Sequence, residues 1–286
     1  MKHIARPDSD NYASLIDSFA SSYVQLRTRE RKERILSSIE ALVCAGKSYN
    51  EHAAQGSLGN ISESATCGVA QKDDLIDLYE AKMVRAKEGE PGRELYDKLR
   101  NGSSRGICPF CSQMQVTTLD HYLPKSTYSA YSIYPGNLIP SCLRCNMNKL
   151  AKSNGQILHP YYDDIENIEW LRCAIRRNHD SIVLNYSVNK DIDSLALQGR
   201  MNNHLIDLGI ADLYQTSAIL HLIDMRERLV ALGHKGGASS VHEYLIEELN
   251  TRKCASLNSW STALYTEICS CQWFINGGYT MIDAAQ

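Results

Sequence analysis

The chain has 286 residues, of which 43% are hydrophobic and 22% charged, with 17 Gly and seven Pro. These proportions exclude a disordered, collagen-like or low-complexity chain and indicate a globular protein with a sizeable core. No run of about 20 apolar residues occurs, so we expect no membrane partner. The polar N-terminus lacks the apolar segment of a signal peptide, and we therefore expect a cytoplasmic protein.

The formal net charge of −3 is distributed unevenly along the chain. Residues 1–107 carry 16 basic and 16 acidic side chains, and residues 160–286 carry 10 basic and 16 acidic ones. Residues 108–152 carry four basic side chains and one acidic side chain. The middle of the chain is therefore a short basic segment, which favours contact with a polyanion such as nucleic acid.

The first residues have the pattern of a helical region. Few helix breakers occur between Ser14 and Cys44, whereas residues 46–68 are rich in Gly, Ser and Asn and predict a loop. Residues 27–34 include five basic and two acidic side chains. Such a run can follow a phosphate backbone, but helix surfaces of mixed charge are common, so both interpretations stay open.

A second helix is predicted to start near Asp73, because Leu75, Tyr79 and Met83 recur at the spacing of one helix face. Glu90-Pro91-Gly92 interrupts this pattern, and a short helix follows.

Two pairs of cysteines, Cys108/Cys111 and Cys142/Cys145, form C-x-x-C knuckles separated by 30 residues. One such turn aims two sulfurs at one ion, and two turns supply the tetrahedral four-thiolate set that Zn²⁺ accepts. Because this set leaves no ligand position open, we expect a structural zinc. A redox pair is disfavoured because no βαβ pattern surrounds either knuckle.

Polar residues follow a predicted strand between the knuckles. Val116 to Leu119 have β-propensity and lead into Asp120-His121, and Pro124 ends the strand. The second knuckle is preceded by residues 134–141 and continues into Asn146-Met147-Asn148-Lys149.

Alternating apolar residues then predict a β-hairpin with strands at residues 168–175 and 182–188 and a turn at 178–180. Helical spacing predicts a helix that ends at Gly233, another that begins at Ser240, and a last one with Trp260 and Cys271 on one face. The expected fold class is mostly α with a small α+β insert. Its predicted regions are a helical region 1–104, a metal-bound module 105–163, and a hairpin with helices 164–286.

The combination of knuckles, Asp-His and the segment after the second knuckle resembles the HNH (ββα-metal) endonucleases. The resemblance is to the subgroup whose hairpin and helix are held by two C-x-x-C pairs, and it covers residues 108–152. Leu158-His159-Pro160-Tyr161 looks like a frequent extension of it. The resemblance implies a ββα module, a structural Zn²⁺, a catalytic Mg²⁺ or Mn²⁺, and hydrolysis of DNA.

The resemblance also implies a role for each matching residue. His121 corresponds to the general base, and Asp120 and Asn146 correspond to the residues that hold the catalytic cation. Asn146 stands where many family members have a final His. Asn137 corresponds to the middle Asn and is expected to orient the base through hydrogen bonds to nearby backbone.

Elementary chemistry agrees with these roles. A neutral imidazole with a pKa near ~6.5 can take a proton from water at neutral pH. A hard cation held by a carboxylate and an amide oxygen can offset the charge that develops on phosphate. Lys125 and Lys149 are candidate phosphate contacts, and the alternative for each is a solvated surface Lys. His159 is a candidate ligand or phosphate contact, and the alternative is packing.

The layout also resembles the HNH subunits of bacterial anti-phage defence systems of the Septu and retron-associated types, which work with an ATPase partner. The likeness lies in the start Met1-Lys2-His3-Ile4, the central module between helical regions, and a tail with Trp260 and Trp273. It implies a defence effector to which a partner delivers DNA, as suits a chain of net negative charge. Two alternatives remain: a non-catalytic zinc module that binds nucleic acid or protein, and a stand-alone restriction or homing nuclease.

Overall fold

The computed structural model describes residues 1–64, 66–150, 156–179 and 181–282. Helices account for 57% of the residues, and the strands form small antiparallel pairs, so the predicted class of a mostly α protein with a small β component is confirmed. The chain divides into two compact units, Met1–Asp164 and Ile165–Gln286. Within the described residues, no helix combines the length and apolar character that a membrane span requires.

The first unit contains helices and two small strand pairs. Its helices are α1 (Tyr12–Ser21), α2 (Arg29–Leu36), α3 (Ile39–Ala54), α4 (Lys72–Tyr79), α5 (Pro91–Arg100) and α6 (Leu143–Leu150). Its strands are β1 (Thr66–Cys67), β2 (Ala70–Gln71), β3 (Thr118–His121) and β4 (Leu138–Ser141). A π-helical turn, Glu80–Val84, continues α4. Short 3-10 turns lie at Leu26–Thr28, Leu58–Asn60, Ser104–Gly106, Ser129–Tyr131 and Pro135–Asn137.

Ion pairs hold the basic helix α2 against α4. Asp74 is 2% exposed and accepts two hydrogen bonds of 2.8 Å from the Nε and Nη2 atoms of Arg34. Arg31 donates from Nη1 to Asp77 at 2.6 Å and lies 3.3 Å from Asp74. Two of the five basic residues in this run therefore have a structural role, because they neutralise a buried carboxylate.

The loop predicted for residues 46–68 begins later than expected, because α3 continues to Ala54. Gly46 lies inside this helix and is buried, and a Cβ atom there would lie 2.8 Å from the ring of Tyr134. Glycine at this position therefore permits the close approach of an aromatic ring and does not end the helix.

The second unit combines one hairpin with helices. Its strands are β5 (Leu171–Asn178) and β6 (Ser181–Val188), and its helices are α7 (Leu195–Asp207), α8 (Ile210–Ala255), α9 (Trp260–Ser270) and α10 (Gln272–Ile275), with a 3-10 turn at Gly278–Met281. The strands pair antiparallel from Leu171↔Val188 to Asn178↔Ser181, as the alternating pattern predicts. Asp180 of the predicted turn lies outside the described residues.

The helix predicted to end at Gly233 continues past that residue. A Cβ atom at Gly233 would lie 2.1 Å from the hydroxyl of Tyr279, so this glycine makes room for a side chain. The backbone of α8 leaves the helical region at Gly236 and Gly237, and the φ of Gly237 is +66°. The break therefore falls at the glycine pair, where a positive φ carries little steric cost.

Candidate metal centre and active site

Strand β3, strand β4 and helix α6 follow one another in the chain and lie against one another. β3 and β4 form a four-residue antiparallel ladder from Thr118↔Ser141 to His121↔Leu138. Lys149 of α6 donates hydrogen bonds from Nζ to the backbone oxygens of His121 (2.6 Å) and Tyr122 (3.0 Å). The helix is thereby fixed to the end of β3, where Asp120 and His121 lie.

The two knuckles bring four buried sulfurs together. The sulfurs of Cys108, Cys111, Cys142 and Cys145 all lie within 4.8 Å of one another, and none of these residues forms a disulfide. The Sγ atoms of Cys111 and Cys142 are 4.0 Å apart. Four sulfurs at about 2.3 Å from a tetrahedral ion are about 3.8 Å apart. This cluster can therefore hold a metal ion such as zinc with little rearrangement.

The four thiols also shift one another's ionisation. Hydrogen bonds from neighbouring thiols, that of Cys108 first, lower the pKa of Cys111, whereas the same neighbours raise the pKa of Cys145. Four sulfurs at this distance cannot all be thiolates unless a cation offsets their charge. The donor set therefore suits a cation that prefers thiolate ligands, as Zn²⁺ does.

The first residues of the chain pack on the first knuckle. The backbone nitrogen of Lys2 donates to the oxygen of Pro109 at 2.8 Å, and that of Ile4 donates to Pro160 at 3.0 Å. Met1 is 6% exposed. The N-terminal segment therefore belongs structurally to the metal module, a placement for which the sequence carries no signal.

Asp120 is a buried carboxylate near the end of β3. It is 2% exposed, and its Oδ2 atom lies 3.3 Å from Nζ of Lys149 but receives no hydrogen bond. Burial raises the pKa of Asp120 to about 6, and Lys149 partly opposes this effect, so the carboxylate is mostly ionised at pH 7. Lys149 is therefore the cationic partner of Asp120 in this structure, and a carboxylate oxygen is also the type of ligand that Mg²⁺ prefers.

His121 has one ring nitrogen fixed by the backbone. Its Nε2 atom donates to the oxygen of Ser132 at 2.8 Å, and its ring meets that of Tyr79 edge to face at 4.4 Å. Among the described residues, none hydrogen-bonds to Nδ1. Burial lowers the pKa of His121 to about 3, so the imidazole is neutral at pH 7. The bond to Ser132 leaves Nδ1 unprotonated and able to accept a proton, and burial makes this nitrogen a weaker base than that of a free imidazole.

Asn137 organises the loop between β3 and β4. Its buried side chain donates from Nδ2 to the oxygens of Leu123 (3.0 Å) and Tyr131 (3.2 Å). Its Oδ1 atom accepts from the nitrogen of Leu123 (2.7 Å) and from the hydroxyl of Tyr49 (3.1 Å). Asn137 therefore acts on the backbone that follows His121, and it contacts the loop that supplies Ser132.

A buried chain of hydrogen bonds supports Asn137. The backbone nitrogen of Tyr161 donates to Nδ1 of His159, so Nε2 of His159 carries the proton and donates to Tyr49 at 3.0 Å. The ring of His159 also lies 4.1 Å from that of Tyr122. His159 is 0% exposed, which favours packing over phosphate contact. Sequence reasoning missed Tyr49, because a single Tyr on a helix gives no signal of a contact 88 residues away.

The interpretation of Lys149 as a phosphate contact is wrong. Its side chain is 1% exposed, because it extends inward from α6 to the end of β3. Lys125 is 27% exposed, forms an ion pair with Glu80, and lies 4.6 Å from the centre of the Tyr79 ring. Its contact with phosphate stays a prediction.

Asn146 lies on α6, three residues before Lys149, and is partly exposed. Residues at this spacing share a helix face, so Asn146 lies on the face from which Lys149 reaches Asp120. Its role as a ligand stays a prediction.

Lys149→Met is expected to lower the free energy of unfolding by about 3–5 kcal/mol, because it leaves a buried carboxylate and two buried carbonyls without their cationic partner. Urea denaturation followed by circular dichroism measures this loss. Lys98→Met, at an exposed position of α5, is the control and should change stability by less than about 0.5 kcal/mol. Equal stabilities of the two variants would contradict the role assigned to Lys149.

Comparison with known proteins finds one relative that aligns with most of the chain. No family model and no solved structure match it. The chain is similar to protein ea31 of Escherichia phage lambda, with 26% identity over 279 residues that cover 91% of this chain and 90% of ea31. A match of this extent includes residues of both units, and the name ea31 states no activity.

Proposed function

We propose that this protein is a metal-dependent HNH endonuclease that hydrolyses phosphodiester bonds in DNA. The observation that carries the proposal is the pair of groups at the end of β3: a neutral His121 with an unprotonated Nδ1, beside the buried carboxylate of Asp120. A module that only binds zinc needs the four cysteines but has no use for this pair. The order β3, β4, α6 agrees with the ββα module that the family resemblance implies.

In this proposal His121 is the general base. The bond from Nε2 to Ser132 holds the ring and its tautomer, and Nδ1 accepts a proton as the water oxygen attacks phosphorus and the leaving oxygen departs. General-base catalysis typically contributes roughly 10²–10⁴-fold in rate. Asn137 holds the backbone beside His121, so the orientation of the base is set before substrate binds.

Asp120 and Asn146 would hold the catalytic Mg²⁺ or Mn²⁺. When bound, this cation supplies positive charge beside the phosphoryl and leaving oxygens. Asp120 contributes a full negative charge and Asn146 an amide oxygen, a small ligand set typical of Mg²⁺ sites that retain water. Lys149 fixes the helix that carries Asn146 to the strand that carries Asp120.

Asp120→Asn and Asn146→Ala are expected to fail differently. Asp120→Asn removes the anionic ligand and should leave little cleavage at any practical concentration of metal. Asn146→Ala keeps the carboxylate, so high Mn²⁺ should restore part of the lost rate, because Mn²⁺ generally binds protein sites more tightly than Mg²⁺. Titrations of both metals against cleavage rate measure the difference, with Asn146→His as a milder variant. Wild-type behaviour of Asn146→Ala at low metal would show that Asn146 is not a ligand.

Cleavage of supercoiled plasmid tests the proposed activity directly. The purified, zinc-containing protein, in excess over plasmid and at low salt so that no partner is needed to deliver DNA, is incubated with Mg²⁺, Mn²⁺ or chelator, and nicked and linear products are measured. We expect products only with a divalent cation. A folded, zinc-containing protein that cuts neither single-stranded nor duplex DNA in either metal would favour the non-catalytic zinc module.

We also propose that an ATPase partner delivers the substrate, as in the defence systems that the layout resembles. The support is the net charge of −6 over residues 160–286, which opposes unaided binding of duplex DNA. The similarity to a phage protein keeps the stand-alone nuclease as the competing candidate. Multiple-turnover cleavage of plasmid by the purified chain, at about physiological salt and without ATP, would favour that competitor.

A further inference from the structure

A basic cleft of about 870 Å³ lies in the first unit, lined by side chains from residues 22–34 and 77–90. Its basic lining residues are Arg27, Arg31, Arg34, Lys82, Arg85 and Lys87. Its acidic lining residues are Glu30, Asp77 and Glu90, so the lining carries a net charge of +3. Asp74 lies outside this lining and pairs with Arg31 and Arg34, so the positive charge that remains at the cleft comes from Arg27, Lys82, Arg85 and Lys87.

The acidic side chains of the basic cleft have partners within it. Asp77 accepts hydrogen bonds of 2.6 Å from both Arg31 and Tyr23. Glu30 lies 4.0 Å from Arg34, and Glu90 accepts from the backbone nitrogen of Lys87 at 3.3 Å. These contacts offset the charge of Asp77, whereas Glu30 and Glu90 are exposed and lie in the solvent-screened part of the cleft.

Several cations remain available to a ligand. Arg27 and Lys87 are exposed and form no ion pair with any described residue. Arg85 is 64% exposed and lies 3.9 Å from Asp77, which is already bonded to Arg31. Arg27 also donates a 2.6 Å hydrogen bond to the side chain of neighbouring Gln25. The exposed side of the basic cleft therefore presents three cationic groups, none of which neutralises a buried carboxylate.

The basic cleft adjoins the candidate active site through the π-helical turn. Tyr79 contacts the ring of His121, and Glu80 forms an ion pair with Lys125. The next residues, Ala81 and Lys82, line the cleft. A π-helical turn is rare and often occurs at functional sites, and this one connects the residue that contacts His121 with residues that line the cleft.

Two exposed apolar side chains stand beside the cations. Val24 lines the basic cleft and is 90% exposed, and Leu26 is 85% exposed. Cationic grooves that follow the sugar-phosphate backbone are typical of single-strand binding, and exposed apolar side chains beside them can contact unpaired bases. A duplex keeps its bases paired and stacked inside, so it offers these apolar side chains little base surface.

We propose that the basic cleft binds the sugar-phosphate backbone of a single DNA strand next to the His121 site. The inference rests on the proposed function, because that function makes DNA the ligand. It adds a second binding site, separate from the one that holds the reacting phosphate, and a preference for unpaired strand.

A triple variant, Arg27→Ala/Arg85→Ala/Lys87→Ala, tests the inference. Its affinity for a fluorescein-labelled single strand of about 30 nucleotides is measured by fluorescence anisotropy without divalent cations, from about 50 to 200 mM salt. We expect affinity at least about 10-fold below wild type at the lowest salt, and a slope of log K against log salt smaller by about 2, because each lost phosphate contact removes about 0.7.

Lys98→Ala/Arg176→Ala/Lys190→Ala is the matched control, because it removes the same charge at exposed positions outside the basic cleft. Wild-type binding by the control, together with weak binding by the cleft variant, supports the site. Equal losses in the two variants, or no loss in the cleft variant, would overturn it. Tighter wild-type binding to the matching duplex than to the single strand would overturn the strand preference.

Binding and cleavage distinguish the two proposals. A wild-type protein that binds single strands through the basic cleft but cuts no DNA would refute the nuclease and keep the site. If the triple variant cuts plasmid at the wild-type rate and binds single strands as tightly as wild type, the nuclease proposal stands and the binding site is refuted.

Discussion

Replacing His121 with Ala is expected to lower the rate of DNA cleavage roughly 10²–10⁴-fold, because it removes the group that accepts the proton of the attacking water. Zinc content should stay at one ion per chain, since His121 is not part of the four-cysteine cluster. The oxygen of Ser132 loses its donor, which costs about 1–2 kcal/mol of stability. Plasmid cleavage at saturating Mg²⁺ and metal analysis of the same preparation measure both quantities.

Two further variants separate chemistry from stability in this test. His121→Gln keeps an N–H donor for Ser132 but has no basic nitrogen, and it should be as inactive as His121→Ala while unfolding closer to wild type. His52→Ala is the control, because it removes a 3.0 Å hydrogen bond between a partly buried histidine and Ser57, away from the site. Undiminished cleavage by either His121 variant would refute the mechanism.

Replacing Cys142 with Ser is expected to abolish zinc binding and to unfold the metal module. Structural zinc contributes on the order of 10 kcal/mol to small metal domains, which is comparable to the whole stability of a typical domain. The N-terminal segment should also lose its ordered structure, because the backbones of Lys2 and Ile4 bond to the first knuckle and to Pro160. Elemental analysis and limited proteolysis measure the two effects.

Cys269→Ser is the matched control for this change, because Cys269 is buried in the second unit and lies outside the cluster. It should keep one zinc per chain and wild-type cleavage. Folded, active protein that contains no zinc would be the result that removes the structural role of the metal. Together, the two variants should give different results: the His121 variant loses cleavage but keeps zinc, and the Cys142 variant loses both cleavage and zinc.

Local sequence patterns predict the elements that carry the candidate site. The spacing of Cys108/Cys111 and Cys142/Cys145 predicted the four-sulfur cluster, because two-residue spacers constrain the sulfurs within each turn. A β-propensity run predicted the strand that carries Asp120 and His121. Such signals are readable because they depend on neighbours a few residues away.

Glycine was the least reliable local signal. Gly46 and Gly233 were expected to interrupt helices, yet each lies within one and makes room for a tyrosine ring from a distant segment. The same residue type can end a helix or permit close packing, and the choice depends on what the rest of the chain places opposite it.

By itself, the sequence determined the mostly α class, the four cysteines that can hold a metal ion and the strand that ends in Asp120-His121. Only the tertiary structure decided that Lys149 points inward to Asp120, that Tyr49 and His159 support Asn137, and which cations of the basic cleft stay free. A lysine in a sequence is equally compatible with solvent, phosphate and a buried carboxylate. Which environment a side chain occupies depends on partners that lie 29 to 110 residues away in the chain. A buried polar or charged group needs such a partner, because leaving it unpaired costs free energy.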